Sequence, residues 1–577
     1  MITQDEFEAL AAQGYNRIPV VREVFSDLDT PLSVYLKLAD GPHTFLFESV
    51  EGGESWGRYS IIGLPARRVY TLREGELATQ VLDERDFKSS FTRAQFEAMV
   101  ERAKDYIRAG DIFQVVPSQR LSVPYAGRPV DVYRALRALN PSPYMYFMDL
   151  GATQIVGSSP EILARLKDGE VVARERPADP LAAIETLRAG FKVPRLPGLP
   201  AFTGGLVGYF GFECIGIIEP RLARNDKPDL LGTPDALLML AEEVAVFDNL
   251  RGRLYLIVHA DPAAPQAWRS AQRRLDELSF RLRRAGSAYP DALPAQVLDE
   301  RDFKSGFTRA QFEAMVERAK DYIRAGDIFQ VVPSQRLSVP FAGRPVDVYR
   351  ALRALNPSPY MYFVDLGATQ IVGSSPEILA RLKDGKVVVR PLAGTRRRGV
   401  TPEEDARLAE ELLADPKERA EHLMLIDLGR NDVGRISETG SVHVTDSFAI
   451  ERYSHVMHIV SQVQGTLRPG LGYMDVLKAT FPAGTLSGAP KIRALEIIQE
   501  LEPFKRNIYA GAVGWIGWWG DADTAIAIRT AVIHGGQLHV QAGAGIVYDS
   551  DPAAEWEETM NKARALFRAV AQAAEGL

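Results

Sequence analysis

The stretch TRAQFEAMVERAKDYIRAGDIFQVVPSQRLSV, residues 308–339, decides the fold class. Thr308 and Gln311 stand in capping-box spacing. Behind them Phe312, Met315, Val316, Ala319 and Ile323 fall on one helical face, and Gly326 supplies a stop. The period then changes. IFQVVPSQRLSV reads as strand, DVYRALRAL as a short helix, and MYFVDL and ATQIVGSS as two strands after the turn NPSPY. A helix, then strands with short helical links, predicts an α+β fold rather than a doubly wound sheet.

This stretch lies in a block written twice. Residues 80–174 recur at 296–390 with a constant offset of 216, and five of the 95 positions differ: Ser90/Gly306, Tyr125/Phe341, Met148/Val364, Glu170/Lys386 and Ala173/Val389. That is one large block copied once, not a stacked array of short repeats. Only the second copy runs directly into the motif-dense C-terminal third, so a site built from block and third belongs to that copy. Residues 1–79 and 175–290 alternate short apolar runs with turn signals and read as one strand-rich domain that the first copy interrupts. AGSAYPDALPAQ, 285–296, is the linker candidate, and 291–577 forms the second domain. The first copy reads as a passenger lobe, a competitor for the second copy's place, or an artefact of the sequence.

Composition narrows the class. The chain has 577 residues, 46% of them hydrophobic and 25% charged, as expected of a globular enzyme of two or more domains. Net charge is −7 with no long basic run, which argues against nucleic-acid or membrane-surface partners. The N-terminus lacks the basic start and apolar core of a signal peptide, and the apolar runs are too short to span a membrane. The expectation is a cytoplasmic protein. Cys214, the one cysteine, excludes internal disulfides and reads as a buried bystander.

Several constellations could carry chemistry. Glu418 with Glu421, and Glu555 with Glu558, sit three apart on helices opened by Asp415–Pro416 (running to about Leu428) and Asp551–Pro552. Each pair is most simply a solvated face; if the faces converge, they make an oxygen-only site suited to Mg²⁺. GTLSGAPK, 484–491, suggests anion binding through Lys491 but lacks P-loop spacing. Gly543 and Gly545 in QAGAGIV could let backbone amides approach a carboxylate. Arg529, a charge inside the strand-like run AIAIRTAV, needs an anionic partner. His455 and His458, three apart, could suit a metal or an acid–base role, and a histidine on an apolar face is more often a satisfied core residue.

Taken in order, GDIFQVVPSQR, NPSPYMYF, IVGSSPEILAR, RPLAGTRRRG, ADPKERAEHLMLIDLGRND, ERYSHVMHIVSQV, FPAGTLSGAPKIRALEI, IAIRTAV, QAGAGIVYDS and EWEETMNKA closely resemble the large subunits (component I) of anthranilate synthases. The match is dense over roughly 300–577, and the N-terminal region resembles the same family. The resemblance implies antiparallel β-sheets packed as a sandwich with flanking helices. It implies a regulatory domain at 1–79 plus 175–290 and a chorismate-binding catalytic domain at 291–577. It further implies a lyase converting chorismate and ammonia to anthranilate and pyruvate in tryptophan biosynthesis. Glu421 and Glu558 would bind Mg²⁺, with Glu418 and Glu555 around them. Arg529, Tyr509, Gly543 and Gly545 would hold the enolpyruvyl carboxylate, with Thr485 and Lys562 as further contacts. Glu377 would be the general acid and His458, rather than His455, would assist pyruvate loss. Gln330 stands where isochorismate-forming relatives carry a lysine base, and Ala393 where aminodeoxychorismate synthases carry a lysine nucleophile. Ammonia would come from a separate glutamine amidotransferase subunit (component II). L-Tryptophan, as feedback inhibitor, would meet Glu48, Ser49, Asn356, Pro357, Tyr360 and Met361. The alternatives are an aminodeoxychorismate synthase component I and a non-catalytic regulatory or assembly protein disabled by the insertion. Arg397, where the family often has proline, is a minor departure.

Overall fold

The structure, a computed structural model, describes residues 2–25, 29–39, 41–49, 58–81, 144–149, 154–159, 172–175, 177–283, 296–452 and 456–575. Residues 1–80 with 173–577 form one compact unit and 81–172 a second. The linker expected at 285–296 and the first-copy residues Gln114 and Glu161 lie outside the described residues, apart from Gln296.

The first unit is α+β. Its strands make an eleven-stranded and a twelve-stranded sheet with antiparallel pairings. Each sheet is stitched from both sequence regions. Thr44–Glu48 pairs with Tyr360–Asp365 in the first sheet, and Gly205–Phe210 pairs with Ala512–Gly517 in the second. Residues 1–79 and 175–290 thus share both sheets with 291–577.

Each sheet has its own apolar core under helices. Leu275 and Leu278 of Ala267–Arg283, Val348 and Leu352 of Pro345–Leu355, and Leu566 and Phe567 of Pro552–Glu575 pack in the core of the first sheet. Phe312, Met315, Val316 and Ala319 of Arg309–Arg324 pack in that of the second, with Ile323 half-buried at its edge. That helix starts as its sequence dictates: Thr308 and Gln311 cap each other reciprocally.

Three segments depart from expectation. IFQVVPSQRLSV is two strands, Gln330–Val331 and Ser334–Pro340, separated at Pro333, which has no N–H to give a ladder. The helix opened by Asp415 runs past Leu428 to Gly434, and at Gly429 it packs so closely that a Cβ would stand 3.2 Å from Val389. The run 524–534 is not one strand. Ala522–Ile526 belongs to the twelve-stranded sheet and Thr530–His534 to the eleven-stranded one, with Arg529 at φ +48° between them. The second copy makes a parallel journey: Thr369–Ser375 lies in the eleven-stranded sheet, Ile378–Lys383 in the other.

The second unit has one described hairpin, Tyr144–Asp149 with Gln154–Ser159. Its register repeats that of Tyr360–Asp365 with Thr369–Ser375. The strands flanking the insertion, Glu76–Val81 and Val172–Glu175, are neighbours in the twelve-stranded sheet. A short turn can therefore replace what lies between them at small closure cost. Excising 82–171 behind such a turn should shift the melting temperature of the remaining unit by less than about 3 °C, as measured by calorimetry.

Candidate active site

Two chain crossings between the sheets lie side by side. Ile526 N–H donates to the Glu377 carbonyl at 3.0 Å, and Ser374 N–H to the Arg529 carbonyl at 3.1 Å. Glu377 sits at one crossing and Arg529 at the other. The second crossing is also tied to the turn after Tyr509: Ala510 N–H donates to Ala527 O at 3.0 Å and Ala527 N–H to Gly511 O at 2.8 Å. Backbone bonds thus bring together three residues far apart in sequence.

Burial sets the protonation of this group. The Glu377 carboxyl is pushed up to about 8, chiefly by loss of water, against the opposing Thr485 hydroxyl and the field of Arg529. Thr485 Oγ1 reaches its two oxygens at 3.2 and 3.3 Å. His458 is pulled down to about 4 by burial, with Arg529 adding to the effect, so the ring is neutral at pH 7. Its Nδ1 lies 2.9 Å from the Gly394 carbonyl, which can only accept, so the hydrogen is on Nδ1 and the lone pair on Nε2. A carboxyl that keeps its proton and an imidazole that keeps its lone pair both lie within the field of Arg529. His455 lies outside the described residues.

A second group gathers the carboxylates. Gln330 Nε2 donates to Glu421 Oε1 at 3.3 Å, and a side chain on Gly545 would press within 3.0 Å of that same amide nitrogen. Glu421 is raised by burial and by the charges of Glu418 and Glu558; Glu555 is raised by burial and by Glu558. Glu418 is paired with Arg396 at 3.2 Å, and Glu558 with Lys562 at 2.6 Å. Among the described residues no set of three His, Cys, Asp or Glu side chains is drawn tightly enough to hold a metal. Glu418, Glu421, Glu555 and Glu558 offer only oxygen donors, the ligand type that hard cations prefer.

The segment QAGAGIV packs closely against Tyr509. Gly543 is pressed between Pro333 O and the Tyr509 hydroxyl, 2.9 and 3.0 Å from where a Cβ would stand, and hydrogen-bonds that phenol through its backbone. Lys562 Nζ donates to Gly543 O at 2.9 Å. Lys491 departs from expectation: it forms a buried pair with Asp432 at 2.8 Å instead of offering an anion site.

A cavity of about 560 Å³ lies between the sheets, lined by Glu48, Ser49, Tyr360 and Met361 together with Trp515 and Arg381. Asn356 and Pro357 do not line it; the Asn356 amide instead holds Ser374 Oγ at 3.1 Å. The Glu48 carboxylate is already engaged by the Tyr349 hydroxyl at 2.5 Å and by Arg353 at 3.1 and 3.3 Å, so it braces the wall.

Sequence reasoning missed the support beneath Tyr509. Arg506 lies 5.5 Å from the Tyr509 ring centroid and pairs with Glu502 at 2.6 Å; Glu502 also accepts from Ser334 N and Oγ at 2.7 and 2.8 Å. The four-residue spacing of Glu502 and Arg506 was the available signal, but their burial was not.

The chain matches the description "chorismate binding enzyme" over residues 64–177 and 173–568, and it belongs to that family. It is 50% identical over 579 residues to the anthranilate synthase component 1 of Pseudomonas aeruginosa, covering 99% of both chains. Among solved structures it is similar to anthranilate synthase component I from Streptococcus pneumoniae (TM-score 0.67, 35% identity, 94% of this chain and 99% of that one). A menaquinone-specific isochorismate synthase from Escherichia coli shares the fold (TM-score 0.59, 17% identity, 98% of each chain).

Removing the Glu502 carboxylate leaves Arg506 buried without its ionic partner. Glu502→Ala should therefore cost about 3–5 kcal/mol in urea unfolding.

Proposed function

We infer that the chain is an anthranilate synthase component 1, joining chorismate and ammonia and releasing anthranilate, pyruvate and water. The observation that carries this reading is a buried Glu377 carboxyl that keeps its proton and a buried His458 imidazole that stays neutral, both within the field of Arg529, whose crossing adjoins that of Glu377. The reaction needs one of each. The names of full-length relatives at about half identity support the same reading.

Arg529 and Tyr509 hold the enolpyruvyl carboxylate, with Thr485 and Lys562 as further contacts. Ammonia adds at C2 while Glu377 gives its proton to the departing 4-hydroxyl, which leaves as water. His458 then assists removal of the C2 hydrogen as the enolpyruvyl group leaves, and the ring becomes aromatic. Gln330 is an amide where a base would be needed to activate water; ammonia needs none. Ala393 offers no amine for a covalent adduct, which favours anthranilate over aminodeoxychorismate as product. Glu421 and Glu558 would hold Mg²⁺, with Glu418 and Glu555 around it, and the ion when bound would neutralise and orient the ring carboxylate. A separate component 2 amidotransferase would supply ammonia from glutamine. The cavity between the sheets suits L-tryptophan as feedback inhibitor, with Arg381, Asp523 and Trp515 in its wall. No helix among the described residues is long and apolar enough to cross a membrane, which agrees with a cytoplasmic location.

Purified protein given chorismate, Mg²⁺ and ammonium chloride should produce anthranilate, read by its fluorescence and mass; a folded protein without turnover would overturn the reading. Glu421→Gln or Glu558→Gln should lower activity by about 10–100-fold and shift the Mg²⁺ dependence upward. Glu313→Gln, whose carboxylate pairs with Arg309 on its own helix, should change little.

Glu377 acts in its protonated form, so kcat/KM should fall as pH rises through about 8. Glu377→Gln should lose that alkaline limb and about 10²–10⁴-fold in rate, measured across pH 6–10.

A further inference from the structure

Behind Glu377 lies a second cavity, of about 50 Å³. Glu377, Thr485, Asp432, Thr480 and Arg390 are the polar and charged residues of its lining. The pocket exceeds what a water molecule needs, and its polar walls offer the partners a water requires.

Asp432 is placed against electrostatic preference. It is 6% exposed, and it lies in the last turn of the Pro416–Gly434 helix, where the helix dipole is negative. Lys491 compensates from the Gly-rich segment, 2.8 Å from Oδ2 and 3.5 Å from the Thr480 carbonyl. Arg435 and Asn431 also act on the carboxyl. Burial nevertheless leaves it raised, as Glu377 is raised. The chemistry above uses neither Asp432 nor Lys491.

That chemistry creates a need. Each turnover leaves Glu377 as a carboxylate in a buried site, and it must regain a proton before the next. Resting on the reading of Glu377 as general acid, we propose that Asp432, held by Lys491, returns that proton through water in this pocket. Asp432, a carboxylate beside Lys491 at rest, takes a proton from solvent; the water then gives one proton to the Glu377 carboxylate and takes that one from Asp432, which returns to its ion pair. The proton lost from the ammonium formed at C2 goes to solvent, so the cycle closes with no other reactant. Asp432 touches no substrate; it acts through Glu377.

Single-turnover and steady-state kinetics separate this role from a structural one. With enzyme in excess over chorismate, Glu377 starts protonated and needs no relay. Asp432→Asn should then form anthranilate within about twofold of the wild-type rate, while its steady-state kcat falls by about tenfold or more. The double variant Asp432→Asn with Lys491→Met, which removes both charges and leaves no orphan, should show the same split. Formate added to Asp432→Ala should recover part of the steady-state rate. Equal losses in both regimes, or no loss in either, would overturn the relay. A wild-type protein that fails to turn over at all would instead overturn the lyase reading.

Discussion

Two backbone hydrogen bonds, Ile526 N–H to Glu377 O and Ser374 N–H to Arg529 O, hold the site's architecture together. They lock two strand crossings side by side where the chain passes from one sheet to the other. Each crossing leaves one polar residue facing a region that neither sheet's pleat controls. Arg529 is held there at positive φ, a conformation that costs a non-glycine residue and persists because bonds on both sides over-determine it. A slip of one residue in either strand would turn Glu377 or Arg529 to the wrong side.

The protonation states follow from that placement more than from specific partners. Glu377 and His458 move in opposite directions from their ordinary ranges for one reason: burial disfavours whichever form is charged. Arg529 tempers the first shift and deepens the second. Burial also leads in the acidic group around Glu421, where like charges add to it and the nearby cations Arg396 and Lys562 are engaged by Glu418 and Glu558.

The duplicated block separates local from tertiary causes. YMYFMD with QIVGSS and YMYFVD with TQIVGSS fold into hairpins of the same register. One hairpin stands between Thr44–Glu48 and Thr530–His534 in an eleven-stranded sheet; the other forms a two-stranded sheet of its own among the described residues. The same local instructions yield the same hairpin, and the neighbours decide what it becomes. In the second copy, Gln330 meets Glu421 and Glu377 stands at the crossing beside that of Arg529.

Much was legible from residues alone. Capping boxes, Asp–Pro helix starts and alternating apolar runs specified the Arg309–Arg324, Pro416–Gly434 and Pro552–Glu575 helices and most strands, because these signals act within a few residues. Ordered motifs marked Glu377, His458, Arg529 and the two glutamate pairs. What sequence could not determine was anything that depends on groups meeting across hundreds of residues. The run through Arg529 reads as one strand by composition, and only the packing of two sheets breaks it in two. Lys491 reads as an anion ligand until Asp432 claims it, and that Tyr349 and Arg353 hold Glu48 in the cavity wall is visible only in the fold. Local sequence determined the elements and their faces through short-range sterics and hydrogen bonding. Only the tertiary structure decided which charges are buried, which are paired and which are left to act, because solvation and long-range pairing exist only once the sheets have closed.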